Sequence, residues 1–85
     1  MPAWVTSPVH EMAIQALIEA RRSAGLTQRD VARKIGKTQS FVAKIEIRER
    51  NLSLLEFIGL AKAIGVAPHE LLGRATAELP DEFDL

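Results

Sequence analysis

Within residues 25–46, GLTQRDVARKIGKTQSFVAKIE, the side chains best suited to recognition fall close together: Lys37, Thr38, Gln39 and Ser40 in succession, with Lys44 a turn beyond. A glutamine amide carries one acceptor and two donors in a plane. That arrangement matches the N7 and N6 edge of adenine in the DNA major groove, and such a bidentate pair discriminates by about 1 to 3 kcal/mol. Gln39 is therefore the first candidate for reading sequence. Ser40 can donate to a base or to a phosphate. Arg29, Lys37, Lys44, Arg48 and Arg50 are candidates for phosphate contact, which sets orientation and salt dependence but carries no sequence information. Each of these alone is an ordinary surface charge; their clustering beside Gln39 is what gives them weight. Two readings stand for Phe41: an aromatic edge against a thymine methyl or the sugar backbone, or a ring half-buried against the preceding helix.

Positioning these groups requires two short helices across a tight turn, the layout of a helix-turn-helix. Thr27 can cap the first, with Asp30 three residues on as a weak capping box. Val31, Ala32 and Ile35 supply its apolar stripe, Gly36 allows a sharp turn, and Thr38 can cap the second helix, anchored inward by Val42 and Ile45. We expect these helices at about Gln28 to Lys34 and Gln39 to Ile47. Ahead of them, Ser7 and Pro8 open a helix to Ser23, closed by Gly25, with Val9, Met12, Ala13, Ala16, Leu17 and Ala20 at helical spacing. Behind them, the Ser53 and Glu56 capping box opens a fourth helix that Gly65 stops, and Pro68 starts a short fifth ending at Gly73. No stretch keeps the period of two that a strand needs. The expectation is an all-α, five-helix domain at residues 8–73, with an N-terminal arm at 1–7 and an acidic C-terminal tail at 74–85.

With 85 residues and 47% apolar content the chain can build one compact helical core, and a second domain does not fit. Zero cysteines leave no disulfide framework and no thiolate metal site. No apolar run approaches the roughly 18 residues that span a bilayer, and the N-terminus lacks a secretory pattern, so a cytoplasmic protein with no membrane partner is expected. The net charge of zero hides an asymmetry: residues 21–50 hold nine Lys or Arg against three acids, whereas residues 51–85 hold two against six. Basic charge gathered on the reading unit suits a polyanionic partner, although a solvated face of a plain bundle would show the same excess. Enzyme chemistry finds no foothold. His10 and His69 start different helices with no second ligand at metal spacing, so both are expected to be exposed or capping, and there is no phosphate loop or nucleophile motif. Catalytic residues, metal and cofactor are all expected to be none.

Taken in order, Arg21, GLTQ at 25–28, Ala32, Gly36, the Ile45-Glu46 pair, Glu49-Arg50-Asn51, Ser53, AKAIGV at 61–66 and Glu70-Leu71 resemble the Cro and lambda-repressor type of helix-turn-helix, the XRE family. The resemblance runs from about Leu17 to Leu72 and implies a lambda-repressor-like fold whose helices 2 and 3 bind DNA. By that resemblance Gln28 fixes a phosphate and braces the reading helix, and Lys37, Thr38, Gln39, Ser40 and Lys44 reach phosphates or base edges. Arg21 and Glu46 stand where the family often holds an internal ion pair. Two positions depart from the pattern. Ile47 and Arg48 replace the family's Arg-Gly, so helix 3 either runs longer or strains Arg48 by roughly 1 kcal/mol, and Leu52 replaces a common proline.

Helix 4 is apolar nearly all round, which makes Leu52, Leu55, Ile58 and also Leu60 candidates for a subunit contact. The resemblance implies homodimers on two-fold operators with half-sites about 34 Å apart. These features together point to a transcriptional regulator, most simply a repressor, acting on double-stranded operator DNA. The alternative is an antitoxin-like or adaptor protein that binds a partner protein and autoregulates through DNA. It would use Trp4, Val5 and the tail residues Leu79, Phe83 and Leu85.

Overall fold

Five helices make up a computed structural model that describes residues 7–77 and 79–82: α1 (Pro8–Ser23), α2 (Gln28–Lys34), α3 (Gln39–Glu46), α4 (Leu54–Ile64) and α5 (Pro68–Thr76). There is no strand among the described residues. Trp4, Val5, Phe83 and Leu85 lie outside them. Four of the helices begin on a side-chain cap, because an oxygen placed there satisfies one of the otherwise unbonded amides of a first turn. Ser7 accepts from the His10 N–H at 3.3 Å and Thr38 from the Phe41 N–H at 3.2 Å. Thr27 with Asp30, and Ser53 with Glu56, form full reciprocal boxes.

The ends of α1 to α4 share one device. After each, a residue with positive φ lets the next amide reach a carbonyl five residues back: Leu26 to Arg21, Lys37 to Ala32, Glu49 to Lys44 and Val66 to Ala61, all within 2.9 to 3.1 Å. At Gly36 (φ +69°) this turn is what throws α3 across α2, and at Gly65 (φ +100°) it returns the chain to α5. At the end of α3 the same position is Arg48, with φ +63°. Helix α3 thus stops at Glu46 with Ile47 as its cap, one residue short of the sequence expectation, and of the two outcomes open for Arg48 the strained one holds.

Leu17, Ile14, Ile18 and Arg21 form the buried face of α1, a stripe rotated from the alanine-rich one expected, because the bulky side chains bury more apolar area. Ala13, Ala16 and Ala20 pack at its margin. Against this face sit Val31 and Ala32 of α2, Val42 and Ile45 of α3, Phe57, Leu60 and Ala61 of α4, and Leu71 of α5. Helix α5 continues through Gly73, which is helical here, to Thr76. Burial of Ala75, 6% exposed, and the Thr76 hydroxyl donating to the Leu72 carbonyl at 2.8 Å outweigh the glycine's weak helix preference. His10 is also unlike its expectation. It is half-buried, and its Nε2 accepts from the Leu52 N–H at 3.1 Å, tying α1 to the loop after α3. Burial, then the Arg48 charge, lowers its pKa, opposed by a hydrogen bond with Asn51.

Arg48 also makes an ion pair with Glu11, Nη1 to Oε2 at 3.1 Å, so the backbone strain has to be measured with that pair already removed. In a Glu11→Gln background, Arg48→Gly is expected to raise the unfolding free energy by about 1 kcal/mol in urea denaturation, because glycine adopts the left-handed region freely. A loss of stability instead would mean that the side chain's packing exceeds the strain.

Candidate nucleic-acid interface

A chain of hydrogen bonds runs from the core to the surface at the start of α3. It begins at Arg21, 9% exposed and the one charged residue buried among the described residues. Its guanidinium faces Glu46 two-pronged, Nε to Oε2 at 2.8 Å and Nη2 to Oε1 at 2.9 Å, while Nη1 donates to the Leu26 carbonyl at 2.9 Å. This pair joins α1 to the last turn of α3. Glu46 Oε1 also accepts from Gln28 Nε2 at 2.9 Å, and Gln28 Oε1 accepts from Gln39 Nε2 at 2.9 Å.

The chain has a direction that chemistry imposes. An ionised carboxylate only accepts, so Gln28 must turn its NH2 group to Glu46 and its oxygen outward. Gln39 must then donate to that oxygen. What remains free on Gln39 is its own carbonyl oxygen and one N–H, the pair of groups that an adenine edge requires. Gln39 itself is exposed, at the rim of an open cleft lined by Arg21, Gly25, Thr27, Gln28 and Arg29.

Around it the expected site residues separate into two groups. Arg29, Lys37, Ser40 and Lys44 are exposed, and among the described residues none of these three cations is in an ion pair. Thr38 is exposed with its hydroxyl committed to the α3 cap. Arg48 and Arg50, by contrast, are partly exposed and each in an ion pair, Arg48 with Glu11 and Arg50 with Glu56. Arg50 Nη1 and Nη2 reach the two Glu56 oxygens at 2.8 and 2.6 Å, and its guanidinium carbon lies 4.6 Å from the centroid of the Phe41 ring. Lys37 Nζ stands 5.4 Å from the same centroid. Phe41 is half-buried and packs against the core.

Hydrogen bonding to Arg50, joined by the bond from the Ser53 amide, lowers the Glu56 pKa from 4.5 to about 2, and the same contact raises that of Arg50. Sequence reasoning identified Glu56 as a cap and missed its second role. A capping box is a local pattern, whereas a partner six residues upstream on an irregular loop has no periodic signature. For Gln28 the resemblance implied a brace on the reading helix, but not that the contact would be with the Gln39 amide.

Of the apolar residues proposed for a subunit contact, Leu55 is 79% exposed, Leu52 and Ile58 are half-buried, and Leu60 belongs to the core. Leu54 beside Leu55 in α4 and Ile47 at the end of α3, 70% and 62% exposed, are further exposed apolar side chains that were not anticipated.

Two helices crossing at Gly36, with an anchored amide at the start of the second, define a helix-turn-helix protein. The helix-turn-helix family model matches residues 17–71. An XRE-family like protein from Pseudomonas syringae pv. tomato superposes with a TM-score of 0.80 at 39% identity, covering 85% of this chain and 88% of that one. The HTH-type transcriptional regulator y4dJ of Sinorhizobium fredii is 36% identical over 52 residues, 61% of this chain and 68% of the relative. The chain belongs to the XRE-type helix-turn-helix family, a family of DNA-binding transcriptional regulators.

Two outcomes follow from the hydrogen-bond chain and the Glu56 contact. Glu46→Ala strands a buried guanidinium and should lower the unfolding free energy by about 3 to 5 kcal/mol. Gln39→Ala, at an exposed position, should stay within about 0.5 kcal/mol of wild type, and urea denaturation of both compares them. For Glu56 the folded pKa lies below the unfolded one, so its stabilisation is complete above pH 4.5 and fades as pH falls toward 2. Glu56→Gln should flatten that stretch of the stability curve, measured by denaturant titrations across the acid range.

Proposed function

We propose that this protein is a transcriptional repressor that binds operator DNA as a homodimer, laying α3 in the major groove of each half-site. The observation that carries the reading is the Gln39 amide, exposed at the start of α3 and oriented by the chain through Gln28 and Glu46 to Arg21. Gln39 reads a base edge, with adenine the best match to its remaining acceptor and donor. Ser40 lies beside it, and Arg29, Lys37 and Lys44 supply phosphate contacts. Gln28 braces Gln39 and faces the same cleft. Such a protein acts in the cytoplasm, where its operator is.

Support for the dimer is the exposed Leu54 and Leu55 at the start of α4, with the half-buried Ile58 a turn on and Leu52 just ahead, apolar surface that a two-fold partner would cover. On one DNA face the two reading helices would then stand about 34 Å apart.

Selection of bound sequences from random duplexes at fixed salt tests this directly. A palindromic consensus is expected, with sedimentation showing a dimer that Leu55→Glu dissociates. Gln39→Ala should keep binding but lose at least about tenfold of the preference at one position per half-site, the equivalent of 1.4 kcal/mol. Failure of the wild-type protein to enrich any sequence would refute the reading.

A further inference from the structure

Arg50 lies in the basic stretch, yet its guanidinium is already occupied. Both Nη1 hydrogens are engaged, with the Asn51 carbonyl at 3.0 Å and Glu56 Oε1 at 2.8 Å, and Nη2 donates to Glu56 Oε2 at 2.6 Å. The fork that would grip a phosphate therefore faces a carboxylate, and the pair carries no net charge toward a polyanion. Its flat face covers the Phe41 ring at 4.6 Å, within the range of a cation–π contact. Phe41 sits in the first turn of α3, two residues after Gln39, and its amide takes the Thr38 cap. Glu56 is fixed in turn by the Ser53 amide, which donates to Oε1 at 2.9 Å. A continuous set of contacts thus links the start of α4 to the start of α3, on the side of α3 away from the Gln28 linkage.

We propose that Arg50 is a positioning residue for DNA reading: clamped by Glu56, it holds Phe41 and so fixes the angle at which the first turn of α3 presents Gln39, and it is not a phosphate anchor. This rests on the reading of α3 as the DNA-contacting helix. Glu56 and Phe41 are then as necessary for base discrimination as Arg50 itself, although neither is placed against DNA.

The two roles separate by salt dependence. A side chain that neutralises one phosphate contributes about one unit to the slope of log affinity against log salt, whereas a positioning residue contributes none. Affinities of wild type, Arg50→Gln, Glu56→Gln, Phe41→Leu and Lys44→Gln are to be measured over a salt series on the selected duplex. The same series is run on a duplex altered at the Gln39 position. Lys44→Gln should reduce the slope by about one and leave discrimination intact. Arg50→Gln, Glu56→Gln and Phe41→Leu should keep the slope and each lower discrimination by about two- to fivefold, the worth of one cation–π contact. The Arg50→Gln, Glu56→Gln double variant should lose no more than either single one.

A shallower slope for Arg50→Gln with discrimination kept, or tighter binding by Glu56→Gln through release of the guanidinium, would overturn the proposal. So would unchanged slope and discrimination in all three. Should Arg50→Gln fail to fold, Glu56→Gln decides alone, since a glutamine oxygen can still accept from the Ser53 amide. If wild type selects no duplex, the functional reading falls first and this proposal with it, a result visible before any variant is made.

Discussion

The Arg21–Glu46 pair fixes both the packing of the domain and the chemistry of its surface. A well-packed apolar contact would hold α1 against α3 as firmly, since desolvating two charges offsets most of their attraction. What an apolar contact lacks is an acceptor. Glu46 has lone pairs left after binding the guanidinium, and Gln28 uses one of them. From there the direction of each amide follows, out to Gln39. Buried charge here serves orientation: a single carboxylate sets which atoms of an exposed side chain, two residues away in the chain of contacts, face solvent.

A comparable constraint governs the far side of α3. Its C-terminus uses the left-handed turn that closes α1, α2 and α4, but with an arginine in place of glycine. Tethers surround this strained position. Glu11 holds the Arg48 side chain, His10 accepts the Leu52 amide, and Glu56 holds Arg50. Strained backbone persists only where neighbouring contacts over-determine it. The loop from 47 to 53 is therefore a brace between α1, α3 and α4, and two of the five cations expected to contact phosphate, Arg48 and Arg50, are parts of it.

Local signals explain what could be read without coordinates. Caps at Ser7, Thr27, Thr38 and Ser53, and glycines at 25, 36 and 65, act within one turn of themselves, and each marks a helix boundary that the structure places at or within a residue of expectation. Where long-range packing decided, local reading failed. Gly73 looks like a stop until Ala75 is buried, and the alanine stripe of α1 looks like the core face until Ile14 and Ile18 are seen to fill it. At the candidate site the exposed polar start of α3 was legible from capping and periodicity. The direction of the Gln39 amide was not, because it depends on a carboxylate seven residues further along the chain.

Neutrality of the whole chain is no obstacle to a polyanionic partner, and the dimensions show why. The domain measures 37 × 28 × 19 Å, while screening at physiological salt acts over about 8 Å, so opposite faces lie at least about two screening lengths apart. A polyanion approaching one face responds to the local charge, not to the sum. With Arg21, Arg48 and Arg50 each matched by a carboxylate of the same chain, the cations left near that face are exposed ones such as Arg29, Lys37 and Lys44. The acids that balance them include Glu70, Asp81 and Glu82, all exposed on α5 or beyond it. Among the described residues charge is thus used in two ways: three arginines meet carboxylates of the same chain and set geometry, while exposed cations that include Arg29, Lys37 and Lys44 stand in no ion pair.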